Sequence, residues 1–533
     1  MDKVFRKRFF ACFDEMKTLY SELYDDDECF SEFCERLEKY FDKRPDSLKN
    51  LDIKREKYPN RYLDKVLSGI ELHMENDVRT LQDVQRVLGY YNKNGYNVLD
   101  LGYILSTPGK LKSPGTITDY RKLQSDYGKV AELLPLAASC HRKGMKLCID
   151  VNISYVSDSH KWAKKTMADD PVYKSRFIVV DNGDEANNFD ELIEYEFKTK
   201  RDGAFTYLPD KDEYVMSTNH SHAWDLNYKN PMVLNKMIRN LLYLANQGVD
   251  VFRIHDDKYV WKDIYTGCVN PNESEKVMRL YRLAFEIVCP GVLLWTGSSY
   301  QGHMISDRPL VDIIWNTLAT QNCRLLKSHM DMMCQQPKEI IYSNYAKGVE
   351  PIRWNLDYGL LAEEAVNEKE HKEFLTEYYK DRTDSAPDMA GILQAIQDSD
   401  ADALEDAKKK YVLINAFLIF KCGMPVISER DENLLPEIHE KLCKLESFRQ
   451  ELKVFNTFAD RWTMDTWDNG TLALGRYFEG QKLIAVFNFT DSDRTAWINE
   501  NDGDYMELIS GETMPAENVE VGAYSFKLLR KDF

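Results

Sequence analysis

Residues 66–454 of this chain predict a parallel (β/α)8 TIM barrel, an α/β fold. Three observations carry the prediction. Short apolar runs alternate with longer amphipathic stretches through that region. The first 65 residues show a helical repeat with no strand pattern, and the residues from 455 on show β-rich runs separated by turn dipeptides. The architecture is thus a helical N-terminal domain (1–65), a barrel (66–454) and a C-terminal antiparallel β domain (455–533).

In the N-terminal domain, Phe9, Phe13, Met16 and Tyr20 recur at i, i+4, i+7 and i+11, one face of a helix. Phe30, Phe33 and Leu37 resume the repeat after Asp25-Asp26-Asp27, and Pro45 and Pro59 punctuate the rest of the domain. The eight runs read as barrel strands are VLSGIELHM, NVLDLGYI, KLCIDV, VDVFRI, GVLLWT, VDIIW, EIIYSNY and MPVI. Helical patterns such as VAELLPLAASCHRKG and PMVLNKMIRNLLYLANQG lie between them. The connection from KLCIDV to VDVFRI is far too long for one helix, so an inserted subdomain is expected there, over about 156–221. The C-terminal runs LALGRYF, KLIAVFNFT, YMELIS and AYSFKLL are punctuated by Asn469-Gly470, Glu479-Gly480 and Asp502-Gly503, as in a small β-sandwich.

Across its 533 residues the chain carries 70 Lys plus Arg against 88 Asp plus Glu, a formal net charge of −18. That balance argues against a nucleic-acid partner and against an anionic membrane surface, but it does not disfavour neutral sugars. Neither a signal-peptide apolar region nor a membrane-length apolar run is found. The eleven cysteines are scattered, odd in number and free of CxxC spacing, so structural zinc and a disulfide framework are disfavoured. Reduced thiols in a cytoplasmic protein are the expectation.

The motifs, taken in order, carry a resemblance. RPDSLKNLD (44–52), SDSHKWA (157–163) after KLCIDVNISY, DPVYKSRF, DGAFTYL, HAWDLNYKNP (222–231), LANQGVDVFRIHDDKYVWK (244–262), WNTLAT (315–320) and GMPVI (423–427) follow one another as in the α-amylase superfamily. Within it the chain is similar to the amylosucrases over nearly its full length. The resemblance implies the three-part architecture and a retaining chemistry on α-glucosidic bonds. That chemistry needs a carboxylate nucleophile and a carboxylic acid about 5 Å apart, with a third carboxylate gripping ring hydroxyls.

Carried over position by position, the resemblance implies a degenerate site. The Arg before the nucleophile stays as Arg253, but the nucleophile position reads His255. The general-acid position, after the fifth strand, reads Gly297. The His-Asp after the seventh strand reads Val349-Glu350. The first motif keeps Asp150 but has Ser154-Tyr155 in place of Asn-His. The Asp-Gly-Gly-Tyr expected after the second strand reads Ser113-Pro114-Gly115-Thr116, and the long loop after the eighth strand is missing from SERDENLL.

A glycine has no proton to give, and an imidazole is a poor glycosyl-forming nucleophile. The expectation is an amylosucrase-like pseudoenzyme of carbohydrate metabolism. Arg253, His255 and Glu350 mark its relict catalytic region, and Asp150, Tyr155, Asp256 and Trp354 its ligand-binding lining. No cofactor or metal is expected, since no HExxH spacing supports one. The expected partner is a neutral carbohydrate, an α-glucoside, or a protein that no motif names. The alternative is an active α-glycoside hydrolase or glucosyltransferase with altered catalytic residues. A third reading is a structural subunit whose pocket is plugged by Tyr155, Tyr300 or Trp354.

Neighbouring residues carry two readings each. Asp256 and Asp257 either stand in for the lost carboxylates, or cap the next turn or pair with Lys258. Arg253 either binds an external anion or pairs with Asp150. Asp225 and Asp431-Glu432 are read as loop hydrogen-bonding groups. Trp261, Trp295, Trp315 and Trp354 either stack on sugar faces or pack the core and rim.

Overall fold

The computed structural model describes residues 2–56, 69–72, 80–109, 115–192, 203–264, 271–346, 354–379, 401–428, 436–500 and 502–533. Eight parallel strands form a closed barrel: β1 (Gly69–Glu71), β2 (Val98–Asp100), β3 (Lys146–Val151), β4 (Val251–Ile254), β5 (Leu293–Thr296), β6 (Met304–Ser306), β7 (Ile341–Asn344) and β8 (Met424–Ser428). Each pairs with its neighbours in sequence, and β8 pairs with β1. Strands β3, β4 and β5 are buried along their whole length, which is why they read as continuous apolar runs.

One expected strand is not a strand. VDIIW (311–315) lies inside a helix, Arg308–Thr320, and the sixth barrel strand is the short Met304–Ser306 before it. Leu310 to Leu318 of that helix are all buried, so its apolar residues are not confined to one face. A short apolar run of that kind has no period to tell helix from strand. Pro309, at the helix start, is the signal that favours the helix.

Two compact units divide the chain, Met1–Arg61 with Leu72–Gly89 and Val98–Ile305, and Tyr62–Glu71 with Tyr90–Asn97 and Ser306–Phe533. The first opens with three helices, α1 (Lys3–Tyr24), α2 (Asp27–Asp42) and α3 (Asp46–Glu56). Asp2 caps α1 by accepting the Val4 amide at 2.7 Å, and Asp26 caps α2 by accepting the Cys29 amide at 2.8 Å. Phe5, Phe9, Met16 and Tyr20 form the buried face of α1. The RPDSLKNLD segment owes its residues to a buried ion pair. Arg44 donates to both Asp52 oxygens at 2.6 and 2.9 Å and also to the Ala245 carbonyl, which ties the helical region to the helix before β4.

The excursion after β3 holds a three-stranded antiparallel sheet of Val179–Val180, Phe205–Leu208 and Glu213–Met216. It also holds a two-stranded pairing of Tyr155–Ser157 with Ala223–Asp225.

The second unit ends in an antiparallel region with strands β9 (Asp460–Met464), β10 (Thr471–Phe478), β11 (Gln481–Asn488), β12 (Arg494–Trp497), β13 (Asp504–Glu507), β14 (Thr513–Pro515), β15 (Asn518–Val521) and β16 (Phe526–Asp532). A six-stranded sheet in the order β9-β10-β11-β16-β13-β14 and a two-stranded sheet of β12 with β15 share a core of Ile484, Val486, Ala496, Val519 and Leu529. Glu479-Gly480 makes the tight β10–β11 hairpin, both residues at positive φ, 44° and 79°. Among the described residues no helix is long and apolar enough to cross a membrane, and the described cysteines are free thiols.

Candidate functional site

The site builds up from the end of β4. In the sequence VFRIH, alternation turns Arg253 and His255 to the same side. Arg253 is aligned with Asp150 of β3 on one side and Trp295 of β5 on the other. Its guanidinium lies 4.4 Å from the Trp295 ring centroid, donates to Asp100 Oδ2 at 2.9 Å, and sits 3.9 Å from Asp150 Oδ1. Asp100 uses its other oxygen to accept the Gly102 amide. An internal ion pair therefore holds Arg253, and its shortest link is to Asp100 at the end of β2, a residue no motif singled out. The external-anion reading fails, because the arginine is buried and already paired.

His255 Nε2 lies 2.8 Å from Asp150 Oδ2. Burial alone would raise the Asp150 carboxyl. The charges of Arg253 and His255 outweigh it and hold Asp150 below the usual carboxylate range. An ionised carboxylate only accepts, so His255 Nε2 is the donor. Tyr103, from the loop after β2, lies over the imidazole at a centroid distance of 5.5 Å. Gly115 lets Tyr103 and Tyr155 pack together. It has φ +85, and a Cβ there would stand 3.0 Å from the Tyr103 ring and 3.2 Å from the Tyr155 hydroxyl.

Tyr155 is buried, its hydroxyl accepting from Asn219 Nδ2 at 2.7 Å. Burial pushes the Tyr103 and Tyr155 phenols well up, so both remain protonated donors. Asn152 links Tyr155 to Asp256. Its Oδ1 accepts the Ser154 and Tyr155 amides, and its Nδ2 donates to Asp256 at 3.3 Å. His220 and His222 stack at 5.4 Å, with His222 on Asp158, a pairing that the motifs holding His222 and Asp158 did not signal. Among the described residues no group of His, Cys, Asp and Glu is placed to hold a metal ion.

Asp257 takes neither role read for it. The strand stops at Ile254, Asp256 turns the chain at φ −103 and ψ 36, and Asp257 opens a short 3-10 turn. That turn carries its carboxylate across to the end of β5. Oδ1 accepts the Gly297 amide at 2.7 Å, and Oδ2 accepts the Ser299 amide at 2.6 Å. The Ser298 amide and hydroxyl complete the set at 3.1 Å each. Burial raises the Asp257 carboxyl, and these donors pull against that rise without cancelling it. The loop after β5 is thus wrapped around a carboxylate from β4. A Cβ on Gly297 would stand 2.6 Å from the His255 carbonyl oxygen and 2.7 Å from Asp257 Oδ1, so no side chain fits at that position.

Arg253, His255, Asp150, Asp256, Tyr155 and Gly297 are thus joined in one network of the first unit. Trp354 belongs to the second unit, where it is buried at φ +51 and stacks on Tyr379 at 5.7 Å. Glu350 and Val349 lie outside the described residues, as do Ser113, Pro114, Asp431, Glu432 and most of SERDENLL. Of the three residues expected to plug the pocket, Tyr155 and Trp354 are buried, while Tyr300 is 63% exposed. Asp225 was expected as a loop group but ends a short strand, where it accepts the Thr218 amide at 2.6 Å and pairs with buried Lys262 at 2.8 Å.

Residues 58–280 match the family model of the alpha-amylase catalytic domain. The match spans less than half of the chain and is a similarity to that family. Among curated relatives, the glucosylglycerate phosphorylase of Spirochaeta thermophila is 22% identical over 341 residues, 58% of this chain and 54% of that one. The trehalose synthase/amylase of Mycolicibacterium smegmatis is 24% identical over 330 residues, 59% of this chain and 53% of that one. The chain thus spans about half the length of these relatives. In fold it is similar to the alpha-amylase from H. orenii, with a TM-score of 0.65, 16% identity, and coverage of 88% of this chain and all of that one.

Proposed function

We propose that this barrel is an amylosucrase-like, carbohydrate-active scaffold that no longer runs retaining glycosidic chemistry, a pseudoenzyme whose mouth binds a neutral α-glucoside. The observation that carries the reading is the filled place at Gly297. Retention needs two carboxyl groups about 5 Å apart, one to attack and one to protonate the leaving oxygen. Position 255 offers an imidazole whose Nε2 is spent on Asp150. Position 297 offers no side chain and no room for one. Asp257 is the nearest carboxylate to that place, yet both its oxygens are taken by donors of residues 297–299 and it is fully buried. It cannot turn to a sugar oxygen without unwrapping the loop.

The similar glucosylglycerate phosphorylase and trehalose synthase/amylase support an α-glucoside as the ligand. The test is turnover of p-nitrophenyl α-glucoside, sucrose and maltose by the wild type and by His255→Ala. Equal, background release from both is the expected result. Release by the wild type that His255→Ala abolishes would overturn the proposal in favour of an enzyme with altered catalytic residues.

A further inference from the structure

The chain has nine tryptophans. Six of them, Trp162, Trp224, Trp261, Trp295, Trp315 and Trp354, are buried, and Trp462 packs half-buried against the C-terminal core. The other two, Trp467 and Trp497, are 81% and 55% exposed, and they stand on neighbouring stretches of backbone. The Trp497 amide, at the end of β12, donates to the Thr466 carbonyl at 3.1 Å, so strand and loop run backbone to backbone there. An exposed indole forgoes a large burial energy. Two of them on neighbouring backbone, in a chain that buries six others, is not a scatter of surface residues.

The loop is held in the shape that exposes them. Trp467 sits at φ +56, a left-handed conformation that is costly for a large side chain. Its amide donates to Asp465, which Lys327 pins at 3.1 Å. On the other flank Asp468 accepts the Gly470 amide at 2.6 Å and faces Arg494 at 3.5 Å. The outward face of the β12–β15 pair carries Thr495, Asn518 and Glu520 beside Trp497, while Ala496, Val519 and Val521 point into the core. Indole faces ringed by a hydroxyl, an amide and carboxylates suit a pyranose, whose C–H face stacks and whose hydroxyls bond at the edge. Glu520 and the net charge of −18 disfavour a phosphate backbone.

We infer that Trp467 and Trp497 form a surface site for the pyranose chain of a neutral oligosaccharide, separate in residues from the barrel network around His255. It rests on the carbohydrate reading of the barrel only for the choice of an α-glucan as probe. The experiment is titration of the full chain with maltoheptaose, followed by calorimetry and indole fluorescence. The variants are Trp467→Asn, which tolerates the left-handed backbone, Trp497→Thr, which keeps a strand former, and His255→Ala.

The expected result is a binding event weakened about tenfold or more, with its fluorescence response lost, in each tryptophan variant, while His255→Ala alters only the separate barrel event. A signal that survives in both tryptophan variants and vanishes in His255→Ala would overturn the surface site and leave the barrel reading standing. Flat titrations of every form would also overturn it, the barrel then being judged by its turnover assay. Self-association that Trp467→Asn abolishes, with flat sugar titrations, would overturn it in favour of a protein interface.

Discussion

The Asp257 carboxylate gathers four donors from residues 297–299, and the buried Ser299 amide among them would be left unmet without it. Asp257→Ala is therefore expected to destabilise the chain by about 2 kcal/mol, read as a lower urea midpoint. Asp257→Asn, which keeps one acceptor, should fall between that variant and the wild type. Arg253 and His255 were legible in the sequence because they stand in an ordered motif. Asp100 was not, because it meets Arg253 across 153 residues of chain, and no local spacing encodes a contact made by barrel closure. The role of Asp257 was hidden for a related reason: alternation along a strand says nothing once the strand has ended.

At the scale of the element, β3, β4 and β5 declared themselves by continuous apolar runs, and the β10–β11 hairpin by its Glu479-Gly480 turn. The sixth strand did not, being three residues long beside a helix that is buried on every side. Helix Lys161–Met167 offers a pH test. Its N-cap is buried His160, whose Nδ1 accepts the Trp162 amide at 3.2 Å and so must be unprotonated. Burial, aided by Arg176 and Lys161 and opposed by Asp119, lowers this imidazole to about 4. The folded state thus stays neutral where the unfolded chain takes a proton. Stability is full above about pH 6.5 and falls as pH drops from there to about 4, by on the order of 3 kcal/mol. Thermal melts at pH 7.5 and 5 should show that loss in the wild type, and His160→Asn, which can still cap, should show less of it.

For the whole molecule, the acidic excess of 18 charges lies mostly outside the site, and the acidity the site keeps is held in buried ion pairs or, at Asp257, by amide and hydroxyl donors. Asp150, Asp250 and Asp307 are all buried, and burial alone would raise them. Arg253 with His255, Arg55 with His141, and Lys421 with His329 instead hold each below its ordinary range. Their contribution is present above about pH 4 and disappears as pH falls through the depressed values. A second, steeper acid loss is therefore expected below pH 4, separable from the His160 step by denaturation at pH 5 and pH 3. The barrel was legible at this scale because its alternation spans hundreds of residues, whereas the state of its site turns on one glycine. Gly297→Ala adds a single methyl group to a place bounded by the His255 carbonyl and a pinned carboxylate. Its urea midpoint measures the filled place directly: a loss on the order of 2 kcal/mol or more is expected. A midpoint equal to the wild type, within about 0.5 kcal/mol, would mean that the place is open and that a carboxyl group could still stand there.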